Sequence, residues 1–212
     1  HERMYGHSYW DDEHSYPAMA DDIAEGIQAQ GGKADVLGHS MGGKTAMMLA
    51  LNHPDLVRRL IVADIAPKSY EHGDSHGALI EAMQALPLDE LDTRSEADRP
   101  LGVQIQDPGT RAFVLQSLSL RDGPVHWKFN LRALKDNLPA ILNWPETALG
   151  ATFDGPALFL SGANSHYVAP SDHELIRALF PQAEFVELEN AGHWLHAERP
   201  REVEAEVAQF LS

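Results

Sequence analysis

A short apolar run that turns on Gly38-His39-Ser40-Met41-Gly42-Gly43 and passes at once into a helical pattern constrains this chain more than any other stretch. Ala34 to Leu37 reads as a strand, and Lys44-Thr45-Ala46-Met47-Met48-Leu49-Ala50-Leu51 reads as a helix. Between those two elements, Gly-x-Ser-x-Gly has the form of a nucleophile elbow. The turn is sharp and its serine strained, and side chains at Gly38 and Gly42 would strike the neighbouring strand and helix. Ser40 Oγ is lifted clear of the sheet. The backbone N–H of Met41, at the start of the helix, is then free to donate to an oxyanion.

The same residues carry a second pattern. Gly38-x-x-x-x-Gly43-Lys44-Thr45 matches a phosphate-binding P-loop, also set between strand and helix. About twenty residues on, Leu60-Ile61-Val62-Ala63-Asp64 reads as a strand ending in an aspartate of the kind that binds magnesium. Two chemistries thus claim one loop.

Along the chain the elements alternate. Tyr16 to Gln30 has apolar positions near helical spacing and stops at Gly31-Gly32, while residues 1–14 read as loop. Val57 to Ala66 is a largely apolar run, broken by Asp64 and closed by Pro67, as a buried parallel strand would be. From Lys68 to about Thr152 the character changes. Helical patterns cover Gly77 to Leu86, Thr110 to Leu120 and Asn130 to Leu142, separated by Pro87, Pro100, Pro108-Gly109, Gly123-Pro124 and Pro139; a strand is expected only around Val125 to Phe129. Pro156 to Gly162 resumes the strands. A helix capped by Ser171, a strand from Ala183 to Leu188 and a last helix from Pro200 to Leu211 follow. The expected class is α/β, a mostly parallel sheet flanked by helices with a helical cap insertion. The expected division is core over 1–67, cap over 68–152 and core again over 153–212.

Composition narrows the partners. Of 212 residues, 32 are acidic and 16 basic, a formal charge of −16 that disfavours nucleic acid and anionic membrane surfaces. No apolar run is long enough to span a bilayer and no signal-peptide pattern is present, which suits a cytoplasmic protein. Cysteine is absent, which removes thiolate nucleophiles and disulfides. The 12 histidines lack metal-binding spacing, and His72 and His76 lie in a stretch of loop composition, so neither metal nor cofactor is expected.

An elbow serine needs a base that is itself held by an acid. His193 follows the last strand and precedes the last helix, where its side chain reaches over the carboxyl ends of the strands. Its place after the serine agrees with the chain order nucleophile–acid–histidine. The segments Gly38-His-Ser-Met-Gly-Gly-Lys44, Asp64-Ile-Ala-Pro67 and Gly192-His-Trp-Leu-His-Ala-Glu198 resemble the α/β-hydrolase superfamily, and more narrowly its YbfF-like carboxylesterase branch. Tyr16-Pro-Ala-Met-Ala20 and Pro54-Asp-Leu-Val-Arg-Arg-Leu60 extend the likeness over almost the whole chain. The resemblance implies a Ser–Asp–His triad, a helical cap and cleavage of short- to medium-chain esters, sometimes of acyl-CoA thioesters. A P-loop enzyme offers no reason for the Gly192-His193-Trp194 segment, and in the hydrolase reading Lys44 and Thr45 are simply first-turn residues.

The acid is the less obvious member. Many α/β-hydrolases carry it as Gly-x-x-Asp after the strand that here ends at Gly162, but this chain has Gly162-Ala163-Asn164-Ser165. A hydroxyl cannot hold a negative charge against an imidazolium. Asp64 ends the preceding core strand, and the resembling branch uses an aspartate there; Asp172 is a remote second choice. The expected site is therefore Ser40, Asp64 and His193, with Met41 N–H at the oxyanion and Gly38 and Gly42 shaping the elbow. His39, Trp194 and His196 are expected to pack around it. Phe113, Leu115, Trp127 and Phe129 are apolar residues that fit the cap's own core better than an acyl pocket.

The expected reaction is acyl transfer from a small-molecule ester or thioester to water, with no cofactor. Carbon–carbon hydrolases, cofactor-free haloperoxidases and lyases of the superfamily keep the serine, and so would an inactive binding module, so the sequence alone does not separate them. A second oxyanion donor belongs to a loop after an early strand. Tyr5-Gly6-His7-Ser8 resembles the family's segment just after the fourth strand, so the first three or four strands are expected upstream of residue 1 or as a separate piece. Without them the elbow strand is an exposed apolar edge. Acyl specificity and oligomeric state are not written in the sequence.

Overall fold

The computed structural model describes residues 13–71, 73–121, 123–148 and 150–212. The readings placed on residues 1–12, Tyr5-Gly6-His7-Ser8 among them, and on His72 lie outside the described residues. Two compact units emerge: Tyr70–Leu142 in one, Ser15–Ser69 with Asn143–Ser212 in the other.

The second of these holds the elbow. Helix α1 (Tyr16–Ala29) is capped by Ser15, whose hydroxyl accepts the Ala18 N–H at 3.4 Å, with a proline in its first turn. Gly31 and Gly32, at φ 105° and 107°, stop it where the sequence indicated. Strand β1 (Ala34–His39) leads through Ser40 into α2 (Met41–Asn52), which is buried from Gly43 to Leu51. Strand β2 (Val57–Ala63) follows, buried from Leu60 onward as its unbroken apolar run requires.

The Tyr70–Leu142 unit is helical. It comprises α3 (Gly73–Gln84), α4 (Arg94–Gln104), α5 (Pro108–Gln116), a two-stranded antiparallel ribbon of β3 (Leu118–Ser119) and β4 (His126–Trp127), then α6 (Leu131–Asp136) and α7 (Leu138–Leu142). Two features depart from expectation. The stretch Gly73 to Ser75, of loop composition, is the first turn of α3. Helix α4 runs through Pro100, which the sequence reading takes as a separator. An interior proline costs a helix about 3 kcal/mol. Here a capping box offsets part of that, with Glu96 N–H on Thr93 Oγ1 and Thr93 N–H on Glu96 Oε2, and the buried Ala97 and Leu101 anchor the helix to the unit's core.

The chain then returns to the sheet with β5 (Ala157–Gly162), α8 (His173–Leu179), β6 (Ala183–Leu188), α9 (Leu195–Glu198) and α10 (Pro200–Leu211). Ser171 is not the cap of α8. A 3-10 turn over Pro170–Asp172 intervenes, and the Asp172 carboxylate accepts the Ala169 N–H at 2.8 Å.

The four strands pair in parallel in the order β1-β2-β5-β6. Side-chain alternation divides the sheet. Ile61, Leu158, Leu160 and Val186 meet Val203, Val207, Phe210 and Leu211 of α10 on one face. Val62 points to the other, toward the first turn of α2. Among the described residues β1 is an edge strand, and Leu37 on it is 54% exposed.

Candidate active site

Strands β1 and β2 end side by side. His39 stands opposite Ala63 in register, the Ser40 N–H donates to the Ala63 carbonyl at 3.1 Å, and the Asp64 N–H donates to the Leu160 carbonyl at 2.7 Å. Ser40 and Asp64 thus each occupy the first position past their strand, and both have a left-handed backbone, φ 55° and 54°. A residue with a Cβ sits there at a cost of about 1–3 kcal/mol, met only where the surroundings fix it.

Glycines make the approach possible. A Cβ on Gly38 would run into the Gly42 carbonyl and lie 2.7 Å from Gly43 N. Gly43 is a further elbow glycine that the motif did not single out: its Cβ would stand 2.6 Å from Ile65 Cγ2 and 3.2 Å from Val62 Cγ1, where α2 meets β2. Gly162, outside the elbow at the end of a strand, is needed for a different approach, since a Cβ there would strike the Ala191 and Gly192 carbonyls beneath the histidine loop.

The structure brings all three expected side chains together. His193 Nε2 is 3.1 Å from Ser40 Oγ, and His193 Nδ1 is 2.7 Å from Asp64 Oδ2. A carboxylate only accepts, so Nδ1 carries the proton and Nε2 is left to accept the serine hydroxyl. Asp64 is fully buried while His193 is 17% exposed, so the carboxylate is shielded from solvent and the imidazole keeps a little access to it. The carboxylate is also satisfied elsewhere, by the Gly162 N–H on Oδ1 at 3.1 Å and by the Ser165 hydroxyl on Oδ2. Ser165, at the position where the sequence lacks an acid, therefore contacts the acid that β2 supplies. Asp172, the alternative acid, is engaged by Lys68 Nζ at 2.7 and 2.9 Å.

Aromatic rings surround His193. Tyr167 stacks on it at 4.1 Å between centroids, His39 lies at 4.7 Å and Trp194 at 5.3 Å. Burial pushes the His39 pKa down to about 4, and burial together with the nearby His193 lowers that of His196. Burial raises the Tyr167 phenol, helped by the Asp64 charge. Met41 is the first residue of α2, so its N–H precedes the helix's own ladder at the positive end of the dipole.

The phosphate-binding alternative finds no support in the lysine. Lys44 is buried, its Nζ donates to the Asn143 carbonyl at 3.1 Å, and burial drops its pKa to about 8. Thr45 Oγ1 donates back to the Met41 carbonyl at 3.2 Å. In the helical unit, Trp127 is part of the core, with Leu115 and Phe129 packed against it, while Phe113 is exposed.

A strained serine between β1 and α2, joined through a loop histidine to an acid at the next strand end, defines a hydrolase of the α/β type. The chain belongs to the alpha/beta hydrolase fold family, whose model matches residues 4–200. It is 41% identical to the sn-1-specific diacylglycerol lipase ABHD11 of Mus musculus, over 99% of this chain and 69% of that protein. It is 36% identical to the esterase YbfF of Escherichia coli (strain K12), over 99% of this chain and 80% of the relative. Among solved structures, a marine microorganism esterase superposes with a TM-score of 0.91 at 36% identity, covering 99% of this chain and 82% of the other. The chain spans 63% of the Danio rerio ABHD11 relative, to which it is 35% identical over 93% of its own length. No helix among the described residues is long and apolar enough to cross a membrane.

Proposed function

We propose that this chain is a serine hydrolase that cleaves carboxylic esters of short to medium acyl chains through an acyl-enzyme. The observation that carries the reading is the unbroken hydrogen-bond chain from Ser40 Oγ through His193 to the buried Asp64. His193 Nε2 takes the hydroxyl proton as Ser40 Oγ attacks the ester carbonyl. Asp64, held by Gly162 and Ser165, stabilises the imidazolium that forms. The Met41 N–H donates to the oxyanion. Collapse of the tetrahedral adduct breaks the bond to the alcohol, which leaves with the proton from His193. Water then repeats the sequence on the acyl-enzyme, releasing the acid and restoring Ser40. The names of the relatives, esterase and lipase, agree with an ester as substrate. The division into core and helical cap and a cytoplasmic site of action belong to the same proposal.

A series of p-nitrophenyl esters of increasing acyl length, run beside acyl-CoA thioesters, tests it. Turnover of the shorter esters that vanishes in Ser40→Ala is expected. Turnover of the thioesters alone would move the substrate class to acyl-CoA, and ATP hydrolysis lost in Lys44→Ala but kept in Ser40→Ala would overturn the reading.

A further inference from the structure

The proposed reaction asks a loop histidine to meet a strand-end serine at one distance, turnover after turnover. His193 lies on the segment between β6 and α9, so its position is set by whatever holds that loop's backbone. The side chains of Glu198 and His39 both bond to it. On the amide side, the Gly192 N–H donates to Glu198 Oε2 at 3.0 Å, closing the 192–198 loop on itself. On the carbonyl side, His39 Nε2 stands 2.7 Å from the His193 backbone oxygen.

The second bond reaches out of the loop. His39 is the last residue of β1 and the immediate neighbour of Ser40, so the strand that presents the serine also grips the histidine's own peptide. A carbonyl oxygen can only accept, so Nε2 must carry the hydrogen. With its pKa near 4 the ring holds a single proton at neutral pH, and the contact therefore fixes the Nε2–H tautomer. A neutral His39 also places no like charge beside His193 when that ring becomes an imidazolium.

Resting on the Ser40–His193–Asp64 reading, we propose that His39 is a positioning residue, which donates its Nε2–H to the His193 carbonyl and so sets the distance between the histidine and the serine it activates. It touches neither substrate nor the reacting atoms. The alternative is that the ring only fills space among His193, Trp194 and His196, with which it is in contact.

The test compares His39→Leu, which keeps bulk and loses the donor, with His39→Gln, whose amide nitrogen reaches about where Nε2 lies. His193→Ala runs beside them, with p-nitrophenyl butyrate as substrate and melting temperature as the check on folding. Loss of alignment by an ångström costs on the order of 100-fold, so His39→Leu is expected to lower kcat by about that factor with KM within about twofold. His39→Gln is expected to restore most of the rate. A kcat for His39→Leu within about threefold of wild type, or equal losses in the two variants, overturns the inference. Should the leucine variant not fold, the wild-type protein still decides. Two-bond nitrogen–proton NMR correlations assign the His39 tautomer, and an Nδ1–H form at neutral pH overturns the inference. Full activity in His193→Ala would instead sink the triad reading itself, whereas a dead His193→Ala beside an unaffected His39→Leu sinks this inference alone.

Discussion

Two neighbouring strands of this sheet each end in a residue of positive φ and do opposite things with it. Ser40 past β1 and Asp64 past β2 share a left-handed backbone, φ 55° and 54°, and their N–H groups continue the ladder onto the next strand in the same way. After Ser40 a helix begins at once, and glycines at 38 and 43 let that helix close on the strands, so the hydroxyl stands partly open to solvent. After Asp64 comes loop. The β5 end and the 163–167 turn cover its carboxylate, with Gly162 and Ser165 binding both oxygens. A positive φ at a strand end therefore sets out an accessible hydroxyl when a helix succeeds it and a sealed carboxylate when a loop does.

If the two ends differ as proposed, their variants must differ too. The largest effect belongs to Ser40→Ala, which removes the attacking atom and is expected to cut ester turnover by about 10⁶-fold while the protein stays folded. Steady-state kinetics with a sensitive fluorogenic ester reads it. Asp64→Asn comes next. The amide keeps the shape but no longer fixes the tautomer or the charge of His193, so a loss of about 10⁴-fold in kcat is expected with melting unchanged within a few degrees. A loss of stability with little loss of rate would mark Asp64 as structural and break the parallel.

A smaller effect falls on stability against pH. Burial holds the His39 pKa at about 4 against 6.5 for the free side chain. Between those values the unfolded chain binds more protons than the folded one, so stability is fully present above about pH 6.5 and is lost as pH falls toward 4. The loss amounts to about 3 kcal/mol for this group at most, and His196 adds to it with the same sign. Urea titrations from pH 7 to pH 4 should show that slope, flattened in His39→Gln. The smallest effect isolates the kink itself. Ser40→Gly relieves the positive φ and should melt above Ser40→Ala by an amount corresponding to about 1 kcal/mol.

Much of this was legible because a strained turn demands small residues at fixed spacing. Gly-His-Ser-Met-Gly between an apolar run and a helical pattern announces a kink wherever it falls, and Pro200 to Leu211 announces its helix through spacing and its leading proline. The position of Asp64 at a strand end was also readable, and so was its histidine, but its contact with Ser165 was not. The bonds that define the site join residues far apart in the chain: Ser40 and His193 are separated by 153 positions, Asp64 and Ser165 by 101. Local pattern does not pair them: His193 was reached through chain order and the family resemblance, and Ser165 had neither. Gly162 shows the same limit, since only the carbonyls of Ala191 and Gly192 reveal why it must lack a side chain. Helix α4 was hidden for a different reason. Pro100 is a strong local signal, and the capping box with the buried Ala97 and Leu101 outweighs it.

Covalent labelling by a fluorophosphonate tests most directly the claim that Ser40 is activated through His193 by a buried Asp64. Labelling of the wild-type protein, mapped by peptide mass spectrometry, should reach one equivalent, all of it on Ser40, with the rate falling by orders of magnitude in both His193→Ala and Asp64→Asn. Label on another residue, or Asp64→Asn reacting at the wild-type rate, would contradict it.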